Sequence, residues 1–417
     1  MVLPGEIYFD NHATTRVDPR VVDAMLPWML TEFANPGSIT HEAGRRVATK
    51  IEACRDRIAS LLHAPDEDLI FTSGATESIN LAIFGIAMHP KQKRRRIVAA
   101  STEHRAVLDP LNRLQKTGWE IAYLPVEQAN PLHIGEVDLA VAQQAIDDST
   151  ALVCLMLGNN EIGTLQPFEH LARICRDRGA LLHIDASQAV GKIPVDFQRL
   201  GADLLSFSAH KFYGPKGMGG LIARRESATR KILPLVVGGG QQHNLRSGTL
   251  NSVGIIGMAT ALELAIDEME TESDRLAILR NLLWEYLQAD IDGLLLNGPD
   301  WRVSSISCHP SSENLANGNL PAGSWAHRLP GNLNVCFPRV EGQSLMLRTP
   351  LLAVSSGSAC TSADPHPSHV LRAIGRSEDE ARSSIRFGLG RFNSQEEIRQ
   401  AADWLIEAYR DLVSLVA

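Results

Sequence analysis

Short apolar runs that stop abruptly at polar side chains recur along the chain. Strands are predicted at residues 69–71, 96–100, 151–157 and 180–184, and small or polar residues follow each of them. In a parallel sheet packed between helices, the carboxyl ends of the strands share one edge, and ligands bind there. This pattern predicts an α/β fold with a site along that edge.

A further strand is predicted to end close to a lysine. Residues 204–207 read Leu-Leu-Ser-Phe, and Ser208, His210 and Lys211 follow. A lysine at the end of a buried strand is partly desolvated, which lowers its pKa and frees its lone pair for Schiff-base chemistry. Ser208 and His210 could hold an anion such as phosphate. Taken alone, the stretch fits a structural lysine equally well.

Other strand ends supply groups that complete a cofactor site. Residues 72–77 form a turn between a strand and a helix, where free N–H groups and the helix dipole favour an anion. His104 and Asp185 also follow strands, although each alone fits a core histidine or a helix cap. A lysine, a stacking histidine, a buried carboxylate and an anion cradle are together the groups that pyridoxal phosphate requires.

Length and composition limit the class of protein. A chain of 417 residues with 44% hydrophobic content can form one large domain and a smaller one. The net charge of -8 provides no basic field, so direct nucleic-acid binding is not expected. Neither a signal sequence nor an apolar run of bilayer length is evident. We therefore expect a cytoplasmic protein without membrane contact.

The domain division follows from the order of the elements. A large domain is predicted over residues 15–260, and a small domain over residues 1–14 and 261–417. The small domain would contain strands at 333–337, 352–355 and 384–389, with a closing helix at 394–415. Residues from about 300 to 329 are rich in Ser, Asn, Gly and Pro, which predicts a surface insertion.

The six cysteines are scattered without C-x-x-C pairs, which argues against a disulfide framework or a zinc cage. Cys360 differs from the others because small and polar residues surround it between 355 and 365. We expect that segment to be an exposed, mobile loop. Motifs for a P-loop, a dinucleotide fold and an H-E-x-x-H metal site are all incomplete in this sequence.

Together these motifs resemble the cysteine desulfurases of the NifS and IscS type, within the class V aminotransferase family. The similarity runs from about residue 8 to about residue 406, and its motifs occur in family order. The resemblance implies a fold-type I pyridoxal phosphate enzyme, with a mostly parallel seven-stranded sheet between helices and a smaller α+β domain.

The resemblance also implies roles for matching residues. Lys211 would carry pyridoxal phosphate, and His104 would stack on its ring and take part in catalysis. Asp185 would pair with the pyridine nitrogen, and Gln188 would bind the phenolic oxygen. The remaining implied cofactor contacts are Ala75, Thr76, Asn160, Ser208 and His210, with Thr249 from the second subunit of a homodimer.

The implied reaction converts L-cysteine to L-alanine and leaves the sulfur on Cys360 as a persulfide. Asn160 and Arg386 would bind the substrate carboxylate, since an arginine can grip it with two hydrogen bonds. The sulfur acceptor would be a protein such as an iron–sulfur scaffold, or the sulfur would serve tRNA or thio-cofactor synthesis. A selenocysteine lyase, an aminotransferase of the same class, and an inactive scaffold for a sulfur-transfer partner are the alternatives.

Two positions depart from the family pattern. Ala209 stands where a glycine often precedes the histidine and lysine, and Gly388 stands where a serine usually follows Arg-Phe. The side-chain support of Arg386 is therefore expected to differ from that in the family.

Overall fold

A computed structural model describes residues 5–303, 327–356 and 367–416 of the chain. Cys360 and most of the predicted insertion lie outside these residues. None of the helices within the described ranges is long and apolar enough to cross a bilayer.

The first half of the chain alternates strands and helices. Its elements are β1 Ile7–Tyr8, α1 Pro19–Leu30, α2 Glu42–Leu61, β2 Leu69–Thr72, α3 Ala75–Ala87, β3 Arg96–Ala100, α4 Arg105–Gln115, β4 Glu120–Leu124, α5 Leu139–Ala145, β5 Thr150–Met156, α6 Phe168–Arg178, β6 Leu181–Asp185, α7 Phe197–Leu200, β7 Leu204–Ser208 and β8 Gly219–Ala223.

The second half begins with two long helices. Its elements are α8 Ser252–Asp267, α9 Met269–Asp290, β9 Leu295–Leu296, β10 Asn332–Cys336, α10 Gly342–Arg348, β11 Leu352–Ala353, β12 Ser355–Ser356, α11 His369–Ala373, α12 Glu378–Arg382, β13 Ser384–Gly388 and α13 Gln395–Val416.

A seven-stranded sheet in the order β2-β8-β7-β6-β5-β3-β4 forms the centre of the molecule. The strands from β7 to β4 pair in parallel, and β8 alone runs antiparallel to its two neighbours. The expected α/β fold with a mostly parallel seven-stranded sheet is confirmed. The carboxyl ends of β3, β5, β6 and β7 therefore meet at one edge.

Apolar clusters cover both faces of this sheet, and the side chains of each strand alternate between the two faces. Ile97 and Ala99 pack into the apolar cluster of α3 and α4, whereas Val98 and Ala100 pack into the cluster of α2, α6 and α8. This burial explains why β3 reads as a continuous apolar run. The sequence prediction for β3 matches its observed bounds.

A second, antiparallel sheet in the order β12-β13-β10-β9 lies on a separate apolar cluster. That cluster combines α9 and α13 with Ile7 and Phe9 from the N-terminal segment. The strand expected at 352–355 is two strands, because β11 pairs with β1 while β12 pairs with β13. The buried apolar side chains of α8 belong to the large cluster, whereas Leu276, Leu279, Leu283, Trp284 and Leu287 of α9 belong to the second. The domain division at residue 260 stays a prediction, and we propose Glu268, between these helices, as its position.

Candidate active site

A cavity of about 420 Å³ opens at the carboxyl edge of the seven-stranded sheet. Residues that follow β2, β3, β5, β6 and β7 line it, together with Arg386 of β13. The predicted site residues in its wall are Ala75, Thr76, His104, Asn160, Asp185, Gln188, Ser208, His210, Lys211 and Arg386.

Lys211 ends a short 3₁₀ turn, Ala209–Lys211, that directly follows β7. Its Nζ donates hydrogen bonds of 2.7 Å to the carbonyl oxygens of His12 and Ala13. His12 and Ala13 of the N-terminal segment thus lie at the carboxyl end of β7 and hold the amine at the cavity wall. Ala209 is fully buried. A Cβ added to Gly214 would lie 2.9 Å from the methyl group of Ala209, so the tight turn leaves no room for a side chain at residue 214.

A buried carboxylate lies at the end of β6. Asp185 is 6% exposed, and its Oδ1 accepts hydrogen bonds from the backbone and hydroxyl of Ser187. Glu103 lies nearby, and burial, with a smaller contribution from the charge of Asp185, raises its pKa to about 8. Asp185 lines the cavity and Glu103 does not, so Asp185 is the carboxylate that can hold a cation there.

The turn before α3 presents an anion site. Gly74, the N-cap of α3, provides no side chain to cap the helix, and Gly74, Ala75 and Thr76 line the cavity. The first backbone N–H groups of α3 are therefore available to an anion there. A Cβ at Gly219 would lie 2.6 Å from the Cα of Gly74, so only glycine allows β8 to approach this turn. Ser208 and His210 lie in the same wall, and burial lowers the pKa of His210 to about 4. His210 is thus a neutral donor or acceptor.

Arg386 is fully buried in β13 and lines the cavity. Its Nη2 lies 2.7 Å from Oδ1 of Asp10, and its Nη1 donates to the carbonyl oxygen of Asn160. Its Nε has no hydrogen-bond partner among the described residues. Gly388 is required two residues later, because a Cβ there would lie 2.7 Å from the backbone nitrogen of His12. Gly388 therefore accommodates the N-terminal segment.

A second lysine, Lys192, does not line the cavity but contacts Gln188, which does. The Nζ of Lys192 donates a 2.7 Å hydrogen bond to Oε1 of Gln188, whose Nε2 donates to the carbonyl oxygen of His12. Burial, followed by the charge of Lys211, lowers the pKa of Lys192 to about 7. These contacts fix the orientation of the Gln188 amide and leave one of its N–H bonds for a ligand.

The segment that carries Cys360 is anchored at both ends beside the cavity. Before it, Ser355 donates to Oδ1 of Asp10 over 2.8 Å. After it, Ser368 donates to the carboxylate of Glu161, and Nε2 of His369 lies 2.9 Å from the carbonyl oxygen of Glu103. Cys360 itself lies outside the described residues.

Thr249 is the one predicted residue within the described ranges that this chain does not bring to the cavity. It lines a different cavity, next to Gln242 and Leu250. Its assignment to the site of a second subunit stays a prediction.

Four charged residues beside the predicted ones were not predicted from the sequence: Asp10, Glu103, Glu161 and Lys192. Three have a visible signal, because Glu103 and Glu161 adjoin His104 and Asn160, and Lys192 lies four residues after Gln188. The partner of Arg386, Asp10, is 376 residues away from it in sequence and has no such signal.

The comparisons with known proteins agree with this architecture. The family model described as Aminotransferase class-V matches residues 7–313. The cysteine desulfurase IscS of Anaeromyxobacter sp. (strain K) is 44% identical over 97% of this chain and 93% of its own length. A solved NifS-like protein is 33% identical, with a TM-score of 0.82, covering 98% of this chain and 100% of its own. The structure of SspA in complex with cysteine is 31% identical with a TM-score of 0.74, covering 92% of this chain and 98% of its own.

The family model matches more than half of the chain, and the relatives are similar to it over nearly its full length. This similarity covers the central sheet, the turn at Lys211 and the cavity. This chain belongs to the class V aminotransferase family, among the cysteine desulfurases of the IscS and NifS type.

Proposed function

We propose that this protein is a pyridoxal phosphate-dependent cysteine desulfurase that transfers the sulfur of L-cysteine to Cys360. The observation that carries the proposal is the single cavity in which Lys211, Asp185, the start of α3 and Arg386 meet. The solved relative SspA is described in complex with cysteine, which supports an amino-acid thiol as substrate.

The residues in the cavity fit the proposed cofactor. The N–H groups at Ala75 and Thr76 suit its phosphate, Asp185 suits a protonated pyridine nitrogen, and Lys211 suits its aldehyde. The cavity volume of about 420 Å³ is within the usual range for a small-molecule site. When bound, the cofactor supplies an electron sink that stabilises negative charge on the Cα of an amino acid.

Arg386 and Asn160 orient the substrate by its carboxylate. Arg386 is fully buried, so a carboxylate that reaches it gains charge-assisted hydrogen bonds in a region that water does not screen. Asp10 already pairs with Nη2, which keeps the guanidinium neutralised when no substrate is bound. The substrate carboxylate would share the arginine with Asp10 or displace it.

His104 provides a positioned imidazole at the cavity wall. Its Nδ1 accepts a 3.0 Å hydrogen bond from the backbone N–H of Ala106, so the neutral ring carries its proton on Nε2. His104 can stack on a planar ligand and, by its second nitrogen, exchange a proton with the substrate or with a thiol.

Sulfur transfer requires the thiol of Cys360 to reach the cavity. Ser356 precedes Cys360 by four residues, which span at most about 14 Å of extended chain. Ser356 pairs with Ile385, next to Arg386, so this reach includes the substrate site. The Cys360 thiolate attacks the substrate sulfur, the S–S bond forms as the carbon–sulfur bond breaks, and the carbon fragment takes up a proton as L-alanine.

The finer assignments belong to the same proposal. The protein would be a homodimer in which Thr249 of each subunit contacts the phosphate at the other site. The persulfide would pass to an acceptor protein such as an iron–sulfur scaffold, and a cytoplasmic location stays an expectation.

Two variants test the proposal. Lys211→Ala should purify without the visible absorbance of bound cofactor. Cys360→Ala should keep that absorbance but release no sulfide from L-cysteine under reductant. Cys308→Ala, which removes the other cysteine outside the described residues, is the matched control and should keep both.

The same assay separates the alternatives. Full sulfide release by Cys360→Ala would favour a selenocysteine lyase or an ordinary lyase. A requirement for a keto acid as second substrate would favour an aminotransferase. A wild-type protein that binds the cofactor but never converts cysteine would favour an inactive scaffold.

A further inference from the structure

Two histidines and a glutamate bring their ligand atoms together outside the catalytic cavity. The Nδ1 of His133 lies 2.9 Å from Oε1 of Glu136, and the Nδ1 of His327 lies 3.5 Å from the same oxygen. The ligand atoms of all three residues lie within 4.8 Å of one another. None of the three lines the cavity that holds Lys211.

Two of these separations are close to what a tetrahedral zinc ion needs. Bonds of about 2.0–2.1 Å from Zn²⁺ to nitrogen and oxygen place two ligand atoms about 3.3 Å apart. The two separations from the Glu136 oxygen bracket that value. Two imidazoles and one carboxylate are an established zinc donor set, with the fourth position left for water.

The loop that carries two of the ligands is fixed by its own backbone. Gly135 has a φ of +88°, and a Cβ there would lie 2.6 Å from Cδ1 of Ile162, so only glycine fits. The hydroxyl of Thr164 donates to the carbonyl oxygen of Ile134 over 2.8 Å. These contacts hold the loop against the segment around Thr164 without any metal.

His327 is attached to the same segment from the other side. Its carbonyl oxygen accepts a hydrogen bond from the backbone of Leu165, and Arg328 forms a β-bridge with Thr164. The rings of His133 and His327 meet edge to face, with centroids 5.1 Å apart. Their side chains are 40% and 34% exposed, so an ion can enter from solvent.

We propose that His133, Glu136 and His327 form a Zn²⁺ site. The ion would tie the loop of residues 127–137 to the chain at residue 327, where the described structure resumes. The competing interpretation is a hydrogen-bonded His–Glu–His triad that binds no metal.

Metal binding to the full-length, cofactor-bound protein tests this proposal. A Cys360→Ser background removes the thiol that would otherwise compete for zinc. After treatment with a chelator, the protein is titrated with Zn²⁺, and bound zinc per chain is measured by atomic absorption after dialysis. Co²⁺ serves as a second probe, because tetrahedral Co²⁺ has visible absorption bands at wavelengths longer than those of the cofactor.

The background protein should bind about one zinc ion per chain and show the tetrahedral Co²⁺ bands. Glu136→Gln and His327→Ala should weaken zinc affinity by at least about 100-fold and remove those bands. His170→Ala, which changes an exposed histidine on α6, is the matched control and should bind like the background. Retained absorbance of the bound cofactor shows that each variant is folded.

Thermal unfolding adds an independent readout. Because Zn²⁺ would bind only the folded state, it should raise the unfolding temperature of the background protein by at least about 2 °C and leave both ligand variants unchanged. The proposal is overturned if the background binds no zinc, if the ligand variants bind zinc as tightly as it does, or if Fe²⁺ displaces Zn²⁺ in competition.

Discussion

Replacing Glu103 by glutamine should make the protein more stable at alkaline pH. Glu103 is fully buried, its Oε1 accepts the backbone N–H of Met156, and its Oε2 has no hydrogen-bond partner among the described residues. Glutamine keeps the acceptor and the shape of the side chain, but it cannot ionise. The substitution therefore removes one titration and keeps the hydrogen bond from Met156.

The magnitude follows from the pKa of Glu103, which rises from 4.5 to about 8 in the folded protein. Because folding keeps a proton that the unfolded chain loses, stability is full below about pH 4.5 and falls as the pH rises through about 8. The complete loss is about 5 kcal/mol, or about 1.4 kcal/mol for each pH step of one. At pH 8.5, above both pKa values, nearly all of this loss is present, so the glutamine variant should be more stable by up to about 4.5 kcal/mol.

Urea unfolding of the cofactor-bound protein, followed by circular dichroism at pH 5.5, 7 and 8.5, measures this difference. Wild-type protein should lose stability steeply over this range, and Glu103→Gln should lose much less. Glu169→Gln, at an exposed position of α6, controls for removal of a negative charge and should follow wild type. Parallel pH profiles for wild type and Glu103→Gln would refute the reasoning.

Three further predictions concern contacts around the cavity. Asp10→Asn removes the charged partner of the buried Arg386 and should lower the free energy of unfolding by about 3 kcal/mol, measured by thermal unfolding. L-alanine should restore part of this loss, because its carboxylate can pair with Arg386. An unchanged melting curve would contradict the pairing. Gly219→Ala should abolish cofactor binding, measured by visible absorbance, because the new methyl group collides with the turn before α3, whereas normal loading would show that this turn can move. Lys192→Met removes a positive charge that repels the one on Lys211. Because less repulsion favours the protonated form, the pH midpoint of the cofactor absorbance should rise. An identical midpoint would exclude that coupling.

The local pattern of the sequence predicted five of the seven strands of the central sheet, and those five are buried almost throughout. It did not predict β4, most of whose residues are exposed or half-buried, or β8, which begins with two glycines. Strand β3 and the turn at Lys211 could be placed from apolar runs and the polar residues that end them. The predicted strand at 352–355 was wrong as a single strand, because tertiary pairing decides which residues join β1 and which join β13.

The site could be predicted only where its residues follow strand ends. Lys211, Asp185 and His104 have that signal, and the cavity brings them together. The pairing of Asp10 with Arg386 and the burial of Glu103 arise from the packing of the N-terminal segment and of β5 against distant elements. The position of Glu103 next to His104 indicates that it lies near the site, but no local pattern records its burial or the pairing of Asp10 with Arg386.

The two anchors that flank Cys360 also affect how the proposed reaction depends on concentration. If Cys360 is the sulfur acceptor, its thiol is tethered through Ser355 and Ser368 and would meet bound substrate at an effective concentration set by the tether, not by the amount of protein. Sulfur extraction would then be a first-order event in each subunit. Delivery to a separate acceptor would remain second-order, so acceptor supply would govern turnover when the acceptor is scarce.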